Sequence, residues 1–239
     1  MNIDNERFNR TELLLGNDST KILQNAKVLV IGVGGVGGYA VENIARAGVG
    51  HLTMVDGDNV DISNCNRQII ALNSTIGLSK AELFAQRCKE INPQGIFIPE
   101  VRFLRTAQDI SELLDRGFDF VVDAIDDVPV KVELLSQLKK RKIPCISAMG
   151  AGGKIDPSGI SITDISKTHS CPLARVIRSR LKAIGITKGI KVVFSPEMPE
   201  RSFENKKIGS ISYLPAIFGC FCAYEAIFSL LKEKNSSKK

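Results

Sequence analysis

The chain predicts an α/β fold: a doubly wound, mostly parallel sheet followed by a smaller C-terminal α+β portion. Three observations carry this. Residues 27–56, KVLVIGVGGVGGYAVENIARAGVGHLTMVD, run from an apolar strand through a glycine-rich turn and an amphipathic helix into a second apolar strand that ends in an acid. Short apolar runs then alternate with helical patterns to residue 148, the β-α-β order of a right-handed parallel sheet. The glycine-rich GAGGK (150–154) and the turn DPSG (156–159) end that alternation.

The first strand is expected over 27–31, and the turn after it is Rossmann-like. Gly32, Gly34 and Gly37 stand at the G-x-G-x-x-G spacing, with Gly35 inside it. Glycine permits the tight turn and lets backbone N–H groups and a helix N-terminus reach a phosphate. A helix over 36–47 and a strand over 52–55 follow, and Asp56 stands at the distance of a ribose-binding acid. An amphipathic start, 7–15 and 18–23, is expected to pack beside this nucleotide site. Beyond the polar stretch 57–68 come a helix over 79–91, a strand over 97–101, a helix over 107–114 and the apolar run 118–122, a buried parallel strand with Asp123 and Asp126 just beyond it. Ligands of such sheets sit at the carboxyl ends of strands. A helix over 129–140 and a strand over 144–148 complete the series.

The second portion is expected to begin with a strand pair, 154–155 with 161–164, then a basic amphipathic helix over 172–184 and a strand over 190–194. A polar loop over 195–210 precedes a last helix, 214–231. That helix is apolar nearly all round but contains Glu225. A lone carboxylate at the centre of a membrane span costs about 2.5–3.5 kcal/mol, which favours a core or subunit-interface helix and makes membrane association the weaker reading. Two regions are expected: 1–150, nucleotide-binding, and 151–239, continuous with it and carrying substrate and dimer contacts.

At 239 residues with 44% hydrophobic content, the chain can bury a substantial core. Its six cysteines lack paired C-x-x-C spacing and its first residues carry no apolar signal, so we expect a reduced, cytoplasmic protein without a zinc site. The net charge of +6 is local: residues 1–166 hold 18 basic and 21 acidic side chains, 167–207 hold 10 and 3, and 208–239 hold 4 and 2. A solvated face would account for the excess, as would a phosphate-rich partner such as RNA. On the predicted helix Arg175, Arg178 and Lys182 share a face.

Five separated segments select among nucleotide sites: RFNR (7–10), GVGGVG with AGVG (32–37, 47–50), VDGDNVDISNCNRQ (55–68), GLSKAE (77–82) and DAIDD (123–127). Together they resemble the E1-like adenylating superfamily of the ThiF, MoeB and HesA kind. The resemblance implies that ATP and Mg2+ convert a carboxylate into an acyl adenylate with release of pyrophosphate. It further implies that Asn64, Arg67 and Gln68 line the triphosphate site, that Lys80 contacts phosphate, that Asp126 helps place magnesium, and that Arg10 reaches across from a second subunit of a homodimer. The residues themselves allow Asp56 to take the ribose hydroxyls, Asp58 to contribute through the same turn, and Asp126 to be a helix N-cap instead. Asp123 reads as structural, a strand-end acid meeting nearby backbone donors.

SAMGAGGKIDPSGI (147–160), DISKT (164–168), PLARVIRSRLKAIGI (172–186) and VVFSPEMP (192–199) extend the resemblance to the tRNA threonylcarbamoyladenosine dehydratase branch. That branch implies adenylation of the threonyl carboxylate of the modified adenosine, then ring closure with loss of AMP. It makes tRNA the partner, with Lys167, Arg175, Arg178, Arg180 and Lys182 as candidate contacts, and brings in cysteine-desulfurase and sulfur-acceptor proteins as further partners. Cys171 departs from an acid of that pattern and reads either as neutral or as an exposed thiol. The alternatives are activation of a ubiquitin-like sulfur-carrier C-terminus, whose enzymes commonly carry paired C-x-x-C motifs, and a non-catalytic nucleotide-binding scaffold, which would have no use for Arg10, Arg67, Lys80 and Asp126 together.

Overall fold

The computed structural model describes residues 6–200 and 208–236. Strands β1 (Lys27–Ile31), β2 (His51–Val55), β3 (Ile96–Glu100), β4 (Phe120–Asp123), β5 (Cys145–Ala148), β6 (Ser161–Asp164) and β7 (Lys191–Phe194) form one seven-stranded sheet in the order β3-β2-β1-β4-β5-β7-β6. Every pairing is parallel except that of β6 with β7. The described helices are α1 (Asn9–Leu15), α2 (Asn17–Gln24), α3 (Gly37–Arg46), α4 (Lys80–Ile91), α5 (Ala107–Leu114), α6 (Val128–Arg141), α7 (Pro172–Ala183) and α8 (Tyr213–Ser236). The α/β, doubly wound expectation is met.

Both faces of the sheet are covered, and β1 shows why its sequence is apolar without alternation. Val28 and Val30 enter a core with Ile44 of α3 and Phe218 and Cys222 of α8, whereas Leu29 and Ile31 enter the opposite core with Leu113 of α5 and Leu134 of α6. A third cluster packs Ile177 and Leu181 of α7 against Val192 and Phe194 of β7. β3 is an edge strand, and Pro99 within it fits a position that needs no ladder donor on its open side. Helix starts follow the sequence: Ser79 caps α4, Thr106 and Asp109 make a capping box on α5, and Asp127 caps α6 through Val130 N–H at 2.9 Å.

Two expectations are corrected. Residues 154–155 form no strand; β6 pairs with β7 instead. The backbone of 154–156 is held from outside the sheet, with Ile155 and Asp156 N–H donating to the Glu197 carboxylate at 2.9 and 3.0 Å and Tyr213 donating to the Ile155 carbonyl. The N-terminal segment does not pack beside the glycine turn. Gly50 N–H donates to Leu23 O, Phe8 lies against Gly48, and Arg7 donates to the carbonyls of Glu90 and Ile91, so the segment closes the end of the sheet where β2 and β3 begin.

α8 has an apolar stretch, Tyr213–Lys232, long enough to cross a bilayer, and it is partly buried. It buries Leu214, Phe218, Cys222, Ala226 and Leu230 against the sheet and α3 and leaves Tyr213, Tyr224 and Phe228 exposed. Part of the polar loop expected over 195–210 lies outside the described residues; its flanks carry no regular structure.

Candidate active site

A cavity of about 1110 Å³ opens at the carboxyl ends of β1, β2, β4 and β5. Gly32, Gly34, Gly35, Asp56, Asp58, Asn64, Arg67, Gln68, Lys80 and Asp126 all line it. Ligand pockets run to roughly 300–1,000 Å³, so this one has room for a nucleotide and the end of a second substrate.

The glycine turn is shaped by close backbone approach. Gly32 sits at φ +80°, and a Cβ there would lie 2.8 Å from Ala124 O; at Gly37 a Cβ would lie 1.8 Å from Gly32 O. Side chains are therefore excluded at both positions. The turn delivers α3 with Val36 at its N-cap and no side-chain cap; Gly38 N–H closes the turn on Gly34 O at 3.0 Å, and the positive end of the helix faces the cavity at Gly34, Gly35 and Val36. Asp56 ties the turn to β2: its carboxylate accepts Val33 N–H and Asp58 N–H, each at 2.8 Å. Burial raises its pKa, against the pull of those two N–H groups and of Lys80.

The polar stretch 57–68 wraps the rim. Asp61 and Asn64 make a capping box, with Asn64 Oδ1 accepting Asp61 N–H at 3.1 Å, which buries Asn64 and turns the chain into Arg67 and Gln68. Arg67 donates to Ser63 O at 2.9 Å and Asn66 Oδ1 at 2.8 Å. Gln68 is buried beside Gly34 with its Oε1 unpartnered, an orphan buried acceptor in the wall of a polar pocket. Lys80, at the start of α4, points its ammonium to Asp58 at 3.0 Å.

Asp126 is exposed on the cavity wall, and Asp127 takes the N-cap, so the alternative role for Asp126 is not the one it fills. Asp123 is the structural acid expected, wholly buried between Ser147 and Lys131. Arg10 is exposed and not among the lining residues, because α1 sits at the far end of the sheet. Cys171 is buried at the N-cap of α7 beneath Gly150 and is not an exposed thiol.

Of the basic candidates in the second half, Lys167, Arg175, Arg180 and Lys182 are exposed. Arg178 is not free: it donates to Thr168 O at 2.8 Å and to Thr168 Oγ1, joining α7 to the preceding turn. Leu173, one residue into α7, lines the cavity, so this helix starts at the cavity wall.

Sequence reasoning missed Arg102 and Arg105, which line the cavity from the β3–α5 connection. Arg102 pairs with Glu100 at 3.1 Å, and the Arg105 guanidinium lies 5.9 Å from the Phe103 ring centroid. It also missed Lys131, whose side chain is fully buried on α6. The readable signal was its place on the apolar stripe of Leu134, Leu135 and Leu138.

The cavity brings together a helix N-terminus without a side-chain cap, the cations Arg67 and Lys80, and the Asp126 carboxylate. Those groups fit a polyphosphate and a hard divalent cation with oxygen ligands. The sequence profile of the ThiF family matches residues 8–239. The chain belongs to the ThiF family. Among similar members, the tRNA threonylcarbamoyladenosine dehydratase of Bacillus subtilis (strain 168) is 40% identical over 243 residues, which cover 95% of each chain. The crystal structure of E. coli tRNA N6-threonylcarbamoyladenosine dehydratase, TcdA, in complex with AMP superposes with a TM-score of 0.93 at 34% identity, covering 99% of this chain and 98% of that one. The same enzyme in complex with ATP gives 0.92 at 34% identity, with the same coverage of both chains. These ThiF-family similarities lie in the dehydratase branch that the second-half segments implied.

Proposed function

We propose that this ThiF-family chain catalyses the ATP-dependent cyclisation of N6-threonylcarbamoyladenosine in tRNA. The observation that carries the proposal is the convergence on one cavity of the α3 N-terminus, Arg67, Lys80 and Asp126, in a chain similar over its whole length to a tRNA threonylcarbamoyladenosine dehydratase with AMP and ATP complexes.

In the first step a threonyl carboxylate oxygen attacks the α-phosphorus of ATP, the bond to the β-phosphate oxygen breaks, and pyrophosphate leaves. An acyl adenylate remains. Negative charge grows on the α-phosphoryl oxygens and on the leaving group, so the protein's task is to place positive charge there beforehand. Arg67 and Lys80 supply it from the cavity lining, the glycine turn supplies backbone N–H groups, and Asp56 holds the ribose while bracing the turn. Asp126 would hold Mg2+, which neutralises the triphosphate when bound. In the second step a nucleophile within the same threonylcarbamoyl group attacks the activated carbonyl, the bond to AMP breaks, and a ring closes. One water's worth of atoms is lost overall. The nucleophile belongs to the substrate, so activation and orientation are the main demands on the protein.

Exposed Lys167, Arg175, Arg180 and Lys182 are the phosphate contacts we assign to tRNA, since α7 leads away from the cavity wall. We place the enzyme in the cytoplasm as a homodimer. Support comes from the exposed aromatic face of α8 and from Arg10, which stands far from its own cavity and suits completion of the partner's. Pyrophosphate release from ATP and Mg2+ tests the reaction: tRNA bearing the threonylcarbamoyl group stimulates it and the unmodified transcript does not. Stimulation by a Gly-Gly-ended carrier protein instead would establish the sulfur-carrier reading.

A further inference from the structure

We infer that Lys131 is a positioning residue that sets Asp126 for the metal; the inference rests on the adenylation reading above and deepens it. A fully buried lysine needs a reason, because desolvating the ammonium is costly and an apolar side chain would pack the α6 stripe as well. Its partners give the reason.

Lys131 Nζ lies 2.9 Å from Asp123 Oδ2 and donates to Ile125 O at 2.9 Å. Asp123 Oδ1 accepts Ile125 N–H at 3.1 Å. Ile125 is thus gripped at both its backbone N–H and its carbonyl by one buried ion pair. Ala124 N–H donates to Ile31 O at 2.9 Å, and Lys131 N–H donates to Asp127 O at 3.0 Å. Asp126 is the residue between these fixed points, and its side chain lies on the cavity wall. Ser147 donates to Asp123 Oδ2 at 2.6 Å from β5, a bond between two strands of the sheet. The pair therefore divides into a part that stabilises the sheet and a part, the Lys131 bond to Ile125 O, that fixes the peptide preceding Asp126.

The test uses the full chain with nucleotides alone, so it does not depend on tRNA. Lys131→Met by itself leaves a buried, unpaired Asp123 and risks unfolding. The double variant Asp123→Asn with Lys131→Met removes both charges, keeps an acceptor for Ile125 N–H, turns the Ser147 bond round so that the amide donates to Ser147 Oγ, and loses the grip on Ile125 O. We expect calorimetric ATP binding to the wild type to tighten on adding Mg2+, and this increment to shrink at least tenfold in the double variant. Binding of AMP in EDTA should stay within twofold. Bound Mn2+ read by electron paramagnetic resonance in the presence of ATP should fall in parallel. Ser147→Ala should lower the melting temperature without changing the metal increment. An unchanged increment in the double variant, or none in the wild type, overturns the proposal. The reaction itself is decided separately by the tRNA assay.

Discussion

Lys80 Nζ lies 3.0 Å from the Asp58 carboxylate at the cavity rim, with the lysine side chain buried and the aspartate side chain 54% exposed. The half-exposed partner makes this a weak structural bond, and the lysine lines the cavity together with Arg67 and Asp126. Lys80→Ala should therefore lower kcat/KM for ATP by roughly 10²–10³-fold. Unfolding free energy should change by about 1 kcal/mol or less. Steady-state AMP formation and urea unfolding on the same preparation check both. A large stability loss with little kinetic effect would make the pair structural.

Gly37→Ala places a methyl group 1.8 Å from Gly32 O. The backbone must move, at roughly 1–3 kcal/mol, and the turn that delivers the α3 N-terminus moves with it. We expect a lower urea midpoint and loss of calorimetric AMP binding under conditions where the variant is still folded. Retained AMP binding would show that the turn does not hold the nucleotide.

Asp56 gives a pH dependence whose sign can be worked out. Burial raises its pKa above 3.8 in the folded state. Between the unfolded and folded values the native state binds the extra proton, so stability from this group is full below 3.8 and is lost as pH rises through the folded pKa. Asp56→Asn lacks this loss. The difference in unfolding free energy, variant minus wild type, should climb across that window and level off above it. A flat difference in a urea series over pH removes the shift.

Among the basic residues of the second half, α7 and the turn before it separate two roles. Arg175→Glu and Lys182→Glu should weaken tRNA binding and reduce the salt slope by about one for each phosphate left without its cation, while ATP binding stays unchanged. Arg178→Ala should instead lower the melting temperature, since Arg178 is bonded to Thr168. Filter binding at several salt concentrations distinguishes the two roles. Equal loss of RNA affinity in all three variants would contradict the division.

The parallel sheet and glycine turn were legible because their signals are local: strands buried on two faces read as apolar runs, and Gly32, Gly37 and Asp56 stand at fixed spacing. Most element ends fell within a residue or two, with Ser79, Thr106 and Asp127 doing the capping, while the last helix runs to Ser236, five residues past its expected end. What failed needed distant partners. Amphipathic periodicity told that the N-terminal segment has a face to bury, but not that Gly50 would bond to Leu23 at the far end of the sheet. Helical spacing put Arg175, Arg178 and Lys182 on one face without showing that Thr168 takes Arg178. The role of Lys131 on α6 shows only once Asp123 at the end of β4 is seen as its partner.

The central claim is tested most directly by mass spectrometry of nucleosides from tRNA bearing threonylcarbamoyladenosine after incubation with the protein, ATP and Mg2+, digested under mild conditions. The account predicts a nucleoside lighter by one water, formed with AMP and absent for Arg67→Ala and Asp126→Ala. AMP release with the modified nucleoside unchanged, while a control dehydratase converts the same tRNA, would contradict it.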